Sequence, residues 1–328
     1  MENEFKNVRT TYAARQRVTQ QWHSQHVPFK FMLSDKTLFT WKVPLQVKSE
    51  GLSGQQLTAD KLLPKDLSAP KGSQGFLIRS QPINEKQPIM SRLPGYQVYI
   101  PNQYQRHYIS LEQSFESYSQ KFSKKSRNTL KRKVKKFTKH CDGQSKFEQF
   151  SQPEQLDEFF ELAGKLSEKT YQDRLLDAGL PNTEAFKTEA KIQAKNNKLR
   201  AYLLFDGDQP VSYLYCPVHN DSMLFQYLGY DPQYAKLSVG TVLQWLALEQ
   251  IFNEQQFKVF DFTEGESEHK RFFATHSLTC ADIFFLRFGL PNVTLTAAHH
   301  SINTFSRLSG QLLERLGVKP LVRKLIRR

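Results

Sequence analysis

The feature that most constrains the fold is a run of three apolar segments followed by one long apolar helix, between residues 199 and 254. LRAYLLF and PVSYLYCPV flank the polar turn 206–209, and a second turn at 219–221 leads into SMLFQYLGY. Short apolar runs joined by Gly- and Asn-containing turns predict three successive antiparallel strands. TVLQWLALEQIFNEQ then carries apolar residues nearly all round its helical period, which predicts a helix buried against that sheet.

The junction between the last of these strands and the buried helix, residues 231–240, is the strongest candidate for a binding site. A helix N-terminus presents unpaired N–H groups and the positive end of its dipole, and both favour an anion. Ser238 and Gly240 are small enough to let a diphosphate approach the backbone. The alternative interpretation is an ordinary helix cap at Ser238.

The remaining pattern predicts two regions that meet near residue 110. The first is predicted to hold a helix over about 7–25, followed by the strand-like segments FKFML, TLFTWKV, GFLIRS and YQVYI. The second is predicted to begin with helical segments broken near Ser123, a fair N-cap, and to continue with a helix from a capping box of Ser151 and Glu154 and another from Thr183. His299 and His300 are expected in a solvent-facing loop.

After the buried helix we expect a strand at KVFDF, a helical turn at SEHKRFFAT and a last strand at CADIFFLRF. The order of elements indicates a mixed α/β (α+β) fold with a mostly antiparallel sheet flanked by helices. The predicted domains are an N-terminal α/β region over 1–110, a central domain over 111–290 and a basic amphipathic tail over 291–328.

The net charge of +14 comes from two short segments. Ten basic residues and no acidic one lie between Lys121 and His140, and five more lie in the last twelve residues, GVKPLVRKLIRR. The first segment is predicted to be either a solvated surface helix or a basic face that binds nucleic acid, acidic lipid or a phosphorylated substrate. The second is predicted either to contact an anionic membrane surface or to be a solubilising end.

The composition excludes several classes of protein. Hydrophobic residues make up 39% of the chain, with 25 Phe, which is enough for a packed core and excludes wholesale disorder. No apolar stretch approaches the ~18 residues that a membrane-spanning helix needs. The three cysteines are far apart, which indicates reduced thiols and, without a secretory signal, a cytoplasmic protein, with a peripheral position at the inner membrane as one alternative. No metal is predicted, because Glu266 and His269 form a single unrepeated pair.

Three stretches of the sequence form a joint pattern: FSKKSRNTLKRKVKKF, YLGYDPQYAKLSVGTVLQWLALEQIF and VFDFTEGESEHKRFFA. Together they resemble the CelD/BcsL branch of the GNAT acyltransferase superfamily, whose members occur with bacterial cellulose and exopolysaccharide synthesis genes, and the likeness covers residues 111–285. The resemblance implies a splayed GNAT sheet with acyl-coenzyme A in its V-shaped gap. Similar proteins of the Fem type pair two GNAT-like halves, so a degenerate GNAT-like half is one interpretation of residues 1–110. The usual loop reads Arg/Gln-x-x-Gly-x-Gly/Ala, of which 235–240 keeps only the last glycine.

The resemblance also implies where an acyl donor would lie. The co-substrate would be acetyl-coenzyme A (acetyl-CoA) or another acyl-CoA. Its carbonyl would be polarised by backbone N–H groups at the splay, which is formed by Leu228, Gly229 and Tyr230. Its diphosphate would be held by the loop residues Lys236, Ser238, Val239, Gly240 and Thr241.

Acyl transfer also needs a proton acceptor and a stabilised tetrahedral oxyanion. Carboxylates that lie close together suit general-base work near neutral pH, and four occur here: Asp261, Glu264, Glu266 and Glu268. Asp261 and Glu264 are the preferred acceptors because they lie on or just after the KVFDF strand. Lys270 would bind an anionic group of the substrate or polarise the acyl carbonyl. The alternatives are a solvated acidic turn and a surface lysine.

Three functions are consistent with these features. The preferred one is an acyl-CoA-dependent N- or O-acyltransferase, acetyltransferase in the simplest case, that acts on a small or lipid-linked sugar-containing precursor of an exopolysaccharide or cell-envelope polymer. The second is a Fem-like transferase that holds aminoacyl-tRNA on the 121–140 helix, with steeply salt-dependent affinity. The third is a non-catalytic GNAT-fold protein that binds a membrane synthase or anionic lipid.

Overall fold

The computed structural model of the chain describes residues 22–33, 36–53, 68–174 and 179–315. In chain order the strands are β1 (His23–Leu33), β2 (Lys36–Ser49), β3 (Gly75–Pro82), β4 (Met90–Leu93), β5 (Tyr96–Ser110), β6 (Ser145–Phe150), β7 (Leu199–Asp206), β8 (Gln209–His219), β9 (Ser222–Leu224), β10 (Tyr227–Tyr230), β11 (Val259–Asp261) and β12 (His276–Arg287). The helices are α1 (Phe115–Gln120), α2 (Lys124–His140), α3 (Leu156–Arg174), α4 (Glu184–Lys195), α5 (Val239–Glu254), α6 (Glu268–Phe273) and α7 (Leu290–Arg315). The predicted mixed α/β class is confirmed.

Contacts divide the described chain into two compact units. Unit 1 contains residues 105–277, and unit 2 contains residues up to 104 together with those from 278 onward. The division of the sequence into 1–110, 111–290 and 291–328 stays a prediction. Within the described ranges no helix is long and apolar enough to cross a bilayer.

In unit 1 the strands lie in the order β5-β11-β9-β8-β7-β6, with β10 paired to β8. One face packs against α1, α2 and α5, and the other packs against α3 and α4. The all-round apolar sequence of α5 is explained by this position, since nine of its residues are buried, including Trp245 and Leu248. The junction at 231–240 connects the sheet to α5 and lies at one edge of this core.

Local capping signals explain where the helices of unit 1 begin. Ser123 caps α2 as predicted, accepting the N–H of Ser126 at 3.2 Å, and Thr183 caps α4. The predicted Ser151 and Glu154 box is wrong. Gln152 forms the box instead, because Pro153 starts a short 3₁₀ turn before α3 and shifts the cap by one residue.

Two further predictions about local structure need correction. SMLFQYLGY is not one strand, because Phe225 and Gln226 separate β9 from β10. The predicted helix over 7–25 lies mostly outside the described residues, and β1 already begins at His23. The other predicted strands and turns of unit 1, including KVFDF and SEHKRFFAT, are confirmed.

Unit 2 has the strand order β1-β2-β3-β12-β5, with β4 paired to β5. β1 and β2 form a long antiparallel hairpin, and α7 packs against β1. His299 is not in a loop, as predicted, but lies in α7, where it is 7% exposed and its Nδ1 is 2.7 Å from the Tyr99 hydroxyl. Burial, together with the charge of His300, lowers the pKa of His299 to about 4.

Candidate functional site

The sheet of unit 1 opens at the end of β9. β9 runs parallel to β11 as far as the pair Leu224 and Asp261, and Phe225 donates a last N–H to the Asp261 carbonyl at 2.8 Å. β10 then pairs with β8, while β11 ends. The chain that pairs with β11 as far as Leu224 therefore leaves it at Phe225, and we call the region between β10 and the segment after Asp261 the gap.

The register of β10 determines where its N–H groups point. Gly229 is paired with Tyr213, and two residues further along Asp231 donates its N–H to the Val211 carbonyl at 2.9 Å. In an antiparallel ladder alternate residues bond to the same neighbour, so the N–H groups of Leu228 and Tyr230 point away from β8. They are directed to the side of the gap, as a role in polarising a carbonyl requires, and that role stays a prediction.

Two glycines at this point allow neighbouring parts of the chain to lie close against their backbone. A β-carbon on Gly240 would lie 3.2 Å from the Leu228 side chain and 3.4 Å from Tyr230, so the start of α5 lies directly against β10. A β-carbon on Gly229 would lie 2.3 Å from the ring of Tyr213, which therefore occupies the space over this glycine. The sequence prediction placed both glycines at the site but gave no reason for Gly229.

The first turn of α5 presents backbone N–H groups without a side-chain cap. Ser238 has left-handed backbone angles (φ 55°, ψ 40°), and its hydroxyl makes no capping hydrogen bond. Thr241 and Val242 donate their N–H groups to the Ser238 carbonyl. The described residues provide no hydrogen-bond acceptor for the N–H groups of Val239 and Gly240. The alternative interpretation of Ser238 as an ordinary side-chain cap is therefore wrong.

The short 3₁₀ turn Pro232–Leu237 that precedes α5 is fixed at its start. Asp231 is 1% exposed, and its two carboxylate oxygens accept from the Gln233 N–H at 3.0 Å and from Lys169 Nζ at 2.7 Å. Burial alone would raise the pKa of Asp231, but these hydrogen bonds and the charge of Lys169 lower it overall. The turn is thus held in place by an ionised carboxylate.

Two further contacts fix the middle and the end of the same turn. The Tyr234 hydroxyl donates to Asp206 at 2.9 Å, and burial followed by this contact raises the pKa of Tyr234 to about 12. Lys136 of α2 donates from Nζ to the Lys236 carbonyl at 3.1 Å. The basic helix therefore lies beside the candidate anion site. The side chain of Lys236 itself is exposed.

Helix α2 presents much of the positive charge of unit 1 to solvent. Leu130 and Phe137 face the core, and Lys133 is half-buried, with its pKa lowered by burial. A shallow depression on the outer face is lined by Lys124, Lys125, Asn128, Thr129 and Arg132. A helix with one apolar face and one basic face fits both interpretations of the 121–140 segment.

Asp261, the first predicted proton acceptor, lies in a buried ion pair. The guanidinium of Arg106 donates to both carboxylate oxygens at 2.7–3.1 Å, and each side chain is 2% exposed. The Thr263 N–H also donates to Asp261 at 2.8 Å. No local pattern marks Arg106, which lies 155 residues from its partner.

Glu264 and Lys270, the other two predicted catalytic residues, are brought together by the loop after β11. Lys270 Nζ donates to the backbone carbonyls of Glu264 and Gly265. Thr263 has a left-handed backbone (φ 61°), which is rare for a β-branched residue and is concentrated at functional sites. Lys270 therefore holds the loop that carries Glu264, and both side chains are partly exposed.

Two histidines near this loop, one buried and the other half-buried, were not among the predicted site residues. His107 is 6% exposed and its Nε2 has no hydrogen-bond partner among the described residues, while burial lowers its pKa. His269 Nε2 lies 2.6 Å from Gln244 Oε1 of α5, and burial, with the charges of Lys133 and Lys270, lowers its pKa to about 4. Both rings are therefore neutral near pH 7. Only the position of His107 within an alternating strand pattern could have indicated its burial.

Comparison of the sequence with known protein families gives a match to part of the chain, and that part contains most of the geometry described above. Residues 124–271 match the family described as Acetyltransferase (GNAT) domain. The match extends from the start of α2 across the β10–α5 junction into α6. No curated protein sequence matches the chain significantly. Within the described part of the chain, no group of three His, Cys, Asp or Glu side chains is close enough together to hold a metal.

Several solved structures are similar in fold, all at low sequence identity. FemX is 10% identical over 84% of this chain and 90% of that chain, with a TM-score of 0.49. L-PGS from Bacillus licheniformis is 13% identical over 70% and 73%, with a TM-score of 0.45. The C-terminal domain of a putative lysylphosphatidylglycerol synthetase from Agrobacterium fabrum is 9% identical over 69% and 71%, with a TM-score of 0.46. The segment 124–271 is therefore similar in sequence to a GNAT-type acetyltransferase domain, and the separation of β9 from β10 agrees with the splayed sheet that this similarity implies.

Proposed function

We propose that unit 1 transfers an acyl group, acetyl in the simplest case, from acyl-CoA to an amine or hydroxyl of a sugar-containing precursor of an exopolysaccharide or cell-envelope polymer. The observation that carries the proposal is the uncapped start of α5 at the point where β10 separates from β11. The acceptor class rests on the resemblance to proteins associated with polysaccharide synthesis. We propose a cytoplasmic location for the reaction.

The residues at the junction fit a diphosphate. The N–H groups of Val239 and Gly240 are available, and the helix dipole adds a positive partial charge at the same place. Lys136 lies beside the turn and donates from Nζ to the Lys236 carbonyl. A small movement of this side chain would let Nζ donate to a phosphate oxygen instead. Ser238 and Thr241 contribute hydroxyls at the edge of the same surface. Bound there, acyl-CoA would supply an activated thioester.

The N–H groups of Leu228 and Tyr230 are placed to polarise the carbonyl of a thioester in the gap. They belong to a strand whose other side is fixed to β8, so they do not need to reorganise during the reaction. Fixed donors aimed at developing negative charge are among the largest contributions to catalysis. Gly229 between them leaves room for Tyr213, whose ring holds the strand in this position.

Both oxygens of Asp261 accept hydrogen bonds from Arg106 and the Thr263 N–H, so we propose that Asp261 positions the loop rather than accepting the proton. We propose Glu264, which is partly exposed and lies three residues beyond the end of β11, as the acceptor. Lys270 fixes the backbone on which Glu264 lies.

A second candidate is favoured by the outer face of α2. Its exposed lysines and arginine form a row that would bind the phosphates of an aminoacyl-tRNA, and log affinity should then fall linearly with log salt concentration. Retention of tRNA at low salt with no binding of CoA would support this candidate over the first. A folded protein that binds neither and shows no turnover would support the non-catalytic alternative.

The direct test is isothermal titration of the full chain with CoA and acetyl-CoA. We expect binding, and we expect it to weaken about tenfold or more in Gly240→Val, because the added side chain wedges the start of α5 away from β10. Gly164→Val is the matched control, since a β-carbon at Gly164 in α3 meets nothing within 4 Å.

A pair of charge variants tests the contribution of the basic helix. Lys136→Ala should weaken binding severalfold, whereas Lys165→Ala, which removes an exposed lysine paired only with Glu161, should not. Circular dichroism of each variant checks that the fold is retained. Absence of any CoA binding, or equal affinity in Gly240→Val and Gly164→Val, would contradict the proposed donor site.

A further inference from the structure

The hairpin of unit 2 projects beyond the sheet that carries it. β3 pairs with β2 over residues Gln46–Ser49, whereas β1 and β2 pair with each other as far as Leu33 and Lys36. We call residues 28–33 and 36–42 the ribbon end. Residues 37–42 are all exposed, on both faces of the ribbon, so this end is covered far less than an ordinary sheet edge.

The ribbon end is apolar where a projecting hairpin is normally polar. Large apolar side chains that are more than one third exposed include Leu33, Leu38, Phe39 and Trp41, at 37–57% exposure. Phe39 stacks on the buried Phe31 with ring centroids 4.2 Å apart, which holds the aromatic group rigidly at the surface. Exposed apolar patches of this kind mark interaction surfaces.

Helix α7 adds two more apolar side chains at the same end. His299 lies 5.4 Å from the ring of Phe31, and four residues later Asn303 accepts the Met32 N–H at 2.9 Å. α7 therefore runs along β1 towards the ribbon end. Leu308 lies about 7–8 Å beyond Asn303 at a rise of ~1.5 Å per residue. Phe305 and Leu308 are 66% and 56% exposed, so six of the eleven such side chains in the described residues are at this end.

Basic groups surround this apolar patch. Lys30 and Lys42 lie on the ribbon, and Arg307 lies between the two exposed apolar residues of α7. Apolar and aromatic side chains flanked by lysine and arginine suit the interface of an anionic bilayer, where the rings enter the headgroup layer and the charges meet lipid phosphates.

We propose that the ribbon end and the exposed face of α7 insert into the surface of a membrane that contains anionic phospholipid. The ribbon end and the exposed face of α7 combine apolar side chains with Lys30, Lys42 and Arg307, a mixture that the headgroup layer of an anionic membrane accommodates better than a flat protein partner does. The inference uses residues of unit 2 alone and does not depend on the proposed function of unit 1.

The test is flotation of the full chain with protein-free vesicles of phosphatidylcholine, with and without 30% phosphatidylglycerol. We expect the protein to float with the anionic vesicles and the bound fraction to fall as salt is raised, because surface charges are screened. Leu38→Ser/Trp41→Ser should reduce the partition coefficient about tenfold or more, since two exposed apolar side chains no longer leave water.

The matched control removes two apolar side chains from elsewhere on the surface. Ile192→Ser/Leu290→Ser changes residues that are 52% and 76% exposed and should bind vesicles as the unchanged protein does. Trp41 fluorescence should shift to shorter wavelength and be quenched by brominated lipid, and Trp41→Phe should lose most of this signal.

Several outcomes would overturn the proposal. The first is that the protein binds neither kind of vesicle, and the second is that the ribbon variant and its control bind equally well. The third is that removal of residues 317–328 abolishes binding while the ribbon variant still binds as the unchanged protein does. Binding to cell membranes but not to protein-free vesicles would indicate a protein partner instead. Light scattering that shows a dimer in the unchanged protein, but not in the ribbon variant, would indicate a second copy of the chain.

Discussion

Breaking the buried ion pair of Arg106 and Asp261 should be among the most destabilising single changes in unit 1. Asp261→Asn keeps the shape of the side chain and its bond from the Thr263 N–H but removes the negative charge. The guanidinium, 2% exposed, then stays buried and loses the carboxylate to which it donates. Removal of one partner of a buried pair costs about 3–5 kcal/mol.

This cost can be measured as a change in melting temperature. At about 2–4 °C per kcal/mol for a unit of ~150–250 residues, we expect Tm to fall by about 6–20 °C. Arg106→Met/Asp261→Leu removes both charges but leaves the Thr263 N–H unpaired, which costs about 1–3 kcal/mol of stability. This double variant should therefore be less destabilised than Asp261→Asn. The exposed pair of Lys165 and Glu161 is the control, and Lys165→Met should change stability by less than about 0.5 kcal/mol.

Thermal unfolding followed by circular dichroism decides between the outcomes. A drop of less than 2 °C in Asp261→Asn would refute the buried-pair argument. If the double variant folds, its activity is equally informative. Turnover retained without Asp261 would show that this carboxylate is not the proton acceptor.

Four further outcomes follow from other parts of the structure. Stability of unit 2 should fall as the pH is lowered from about 6.5 to about 4, because the unfolded chain protonates His299 at a higher pH than the folded chain does; in His299→Gln the pH dependence measured by urea unfolding should flatten. Native protein at pH 8 should react slowly with a thiol reagent at Cys141 and Cys216, since both are buried and burial raises the pKa of Cys141 to about 12, and the reaction should become fast in urea. Gly229→Ala should destabilise unit 1, and Tyr213→Ala should partly restore the double variant by removing the ring that a β-carbon meets at 2.3 Å, as a urea titration of both would show. Glu264→Gln should lower kcat with acetyl-CoA about a hundredfold or more at unchanged Tm, and a rate equal to that of the unchanged protein would exclude it as proton acceptor.

Local signals in the sequence were sufficient for much of the fold. The all-round apolar pattern after Gly240 predicted a buried helix because a helix covered on every side needs no polar face. Ser123 and Thr183 marked helix starts because a hydroxyl at the N-cap satisfies an N–H that the helix leaves unpaired. These features depend on residues close in sequence, and they were found.

Features that depend on residues far apart in the sequence were not predicted. The division of SMLFQYLGY into β9 and β10 results from β11, which pairs with the first half alone and lies over thirty residues away in the chain. The buried pair of Arg106 and Asp261 joins two strands that local periodicity cannot place side by side. His299 looked exposed because its neighbours are small, but it lies against the hairpin formed by the first described residues of the chain.

Positive charge in two parts of the described chain separates two kinds of anion binding. The first part is α2, whose Lys136 contacts the turn before α5, so its charge acts on a ligand at the junction in unit 1. The second is formed by Lys30, Lys42 and Arg307, which lie with the exposed apolar side chains of the ribbon end and α7 in unit 2. A binding site for a nucleotide needs fixed N–H groups and gains little from exposed aromatic rings. Binding to a membrane surface, in contrast, depends on apolar and aromatic side chains that enter the headgroup layer. If this assignment is right, Gly240→Val should lose CoA and keep vesicles, and Leu38→Ser/Trp41→Ser should lose vesicles and keep CoA. Loss of both ligands in either variant would mean that the two positive segments serve one site.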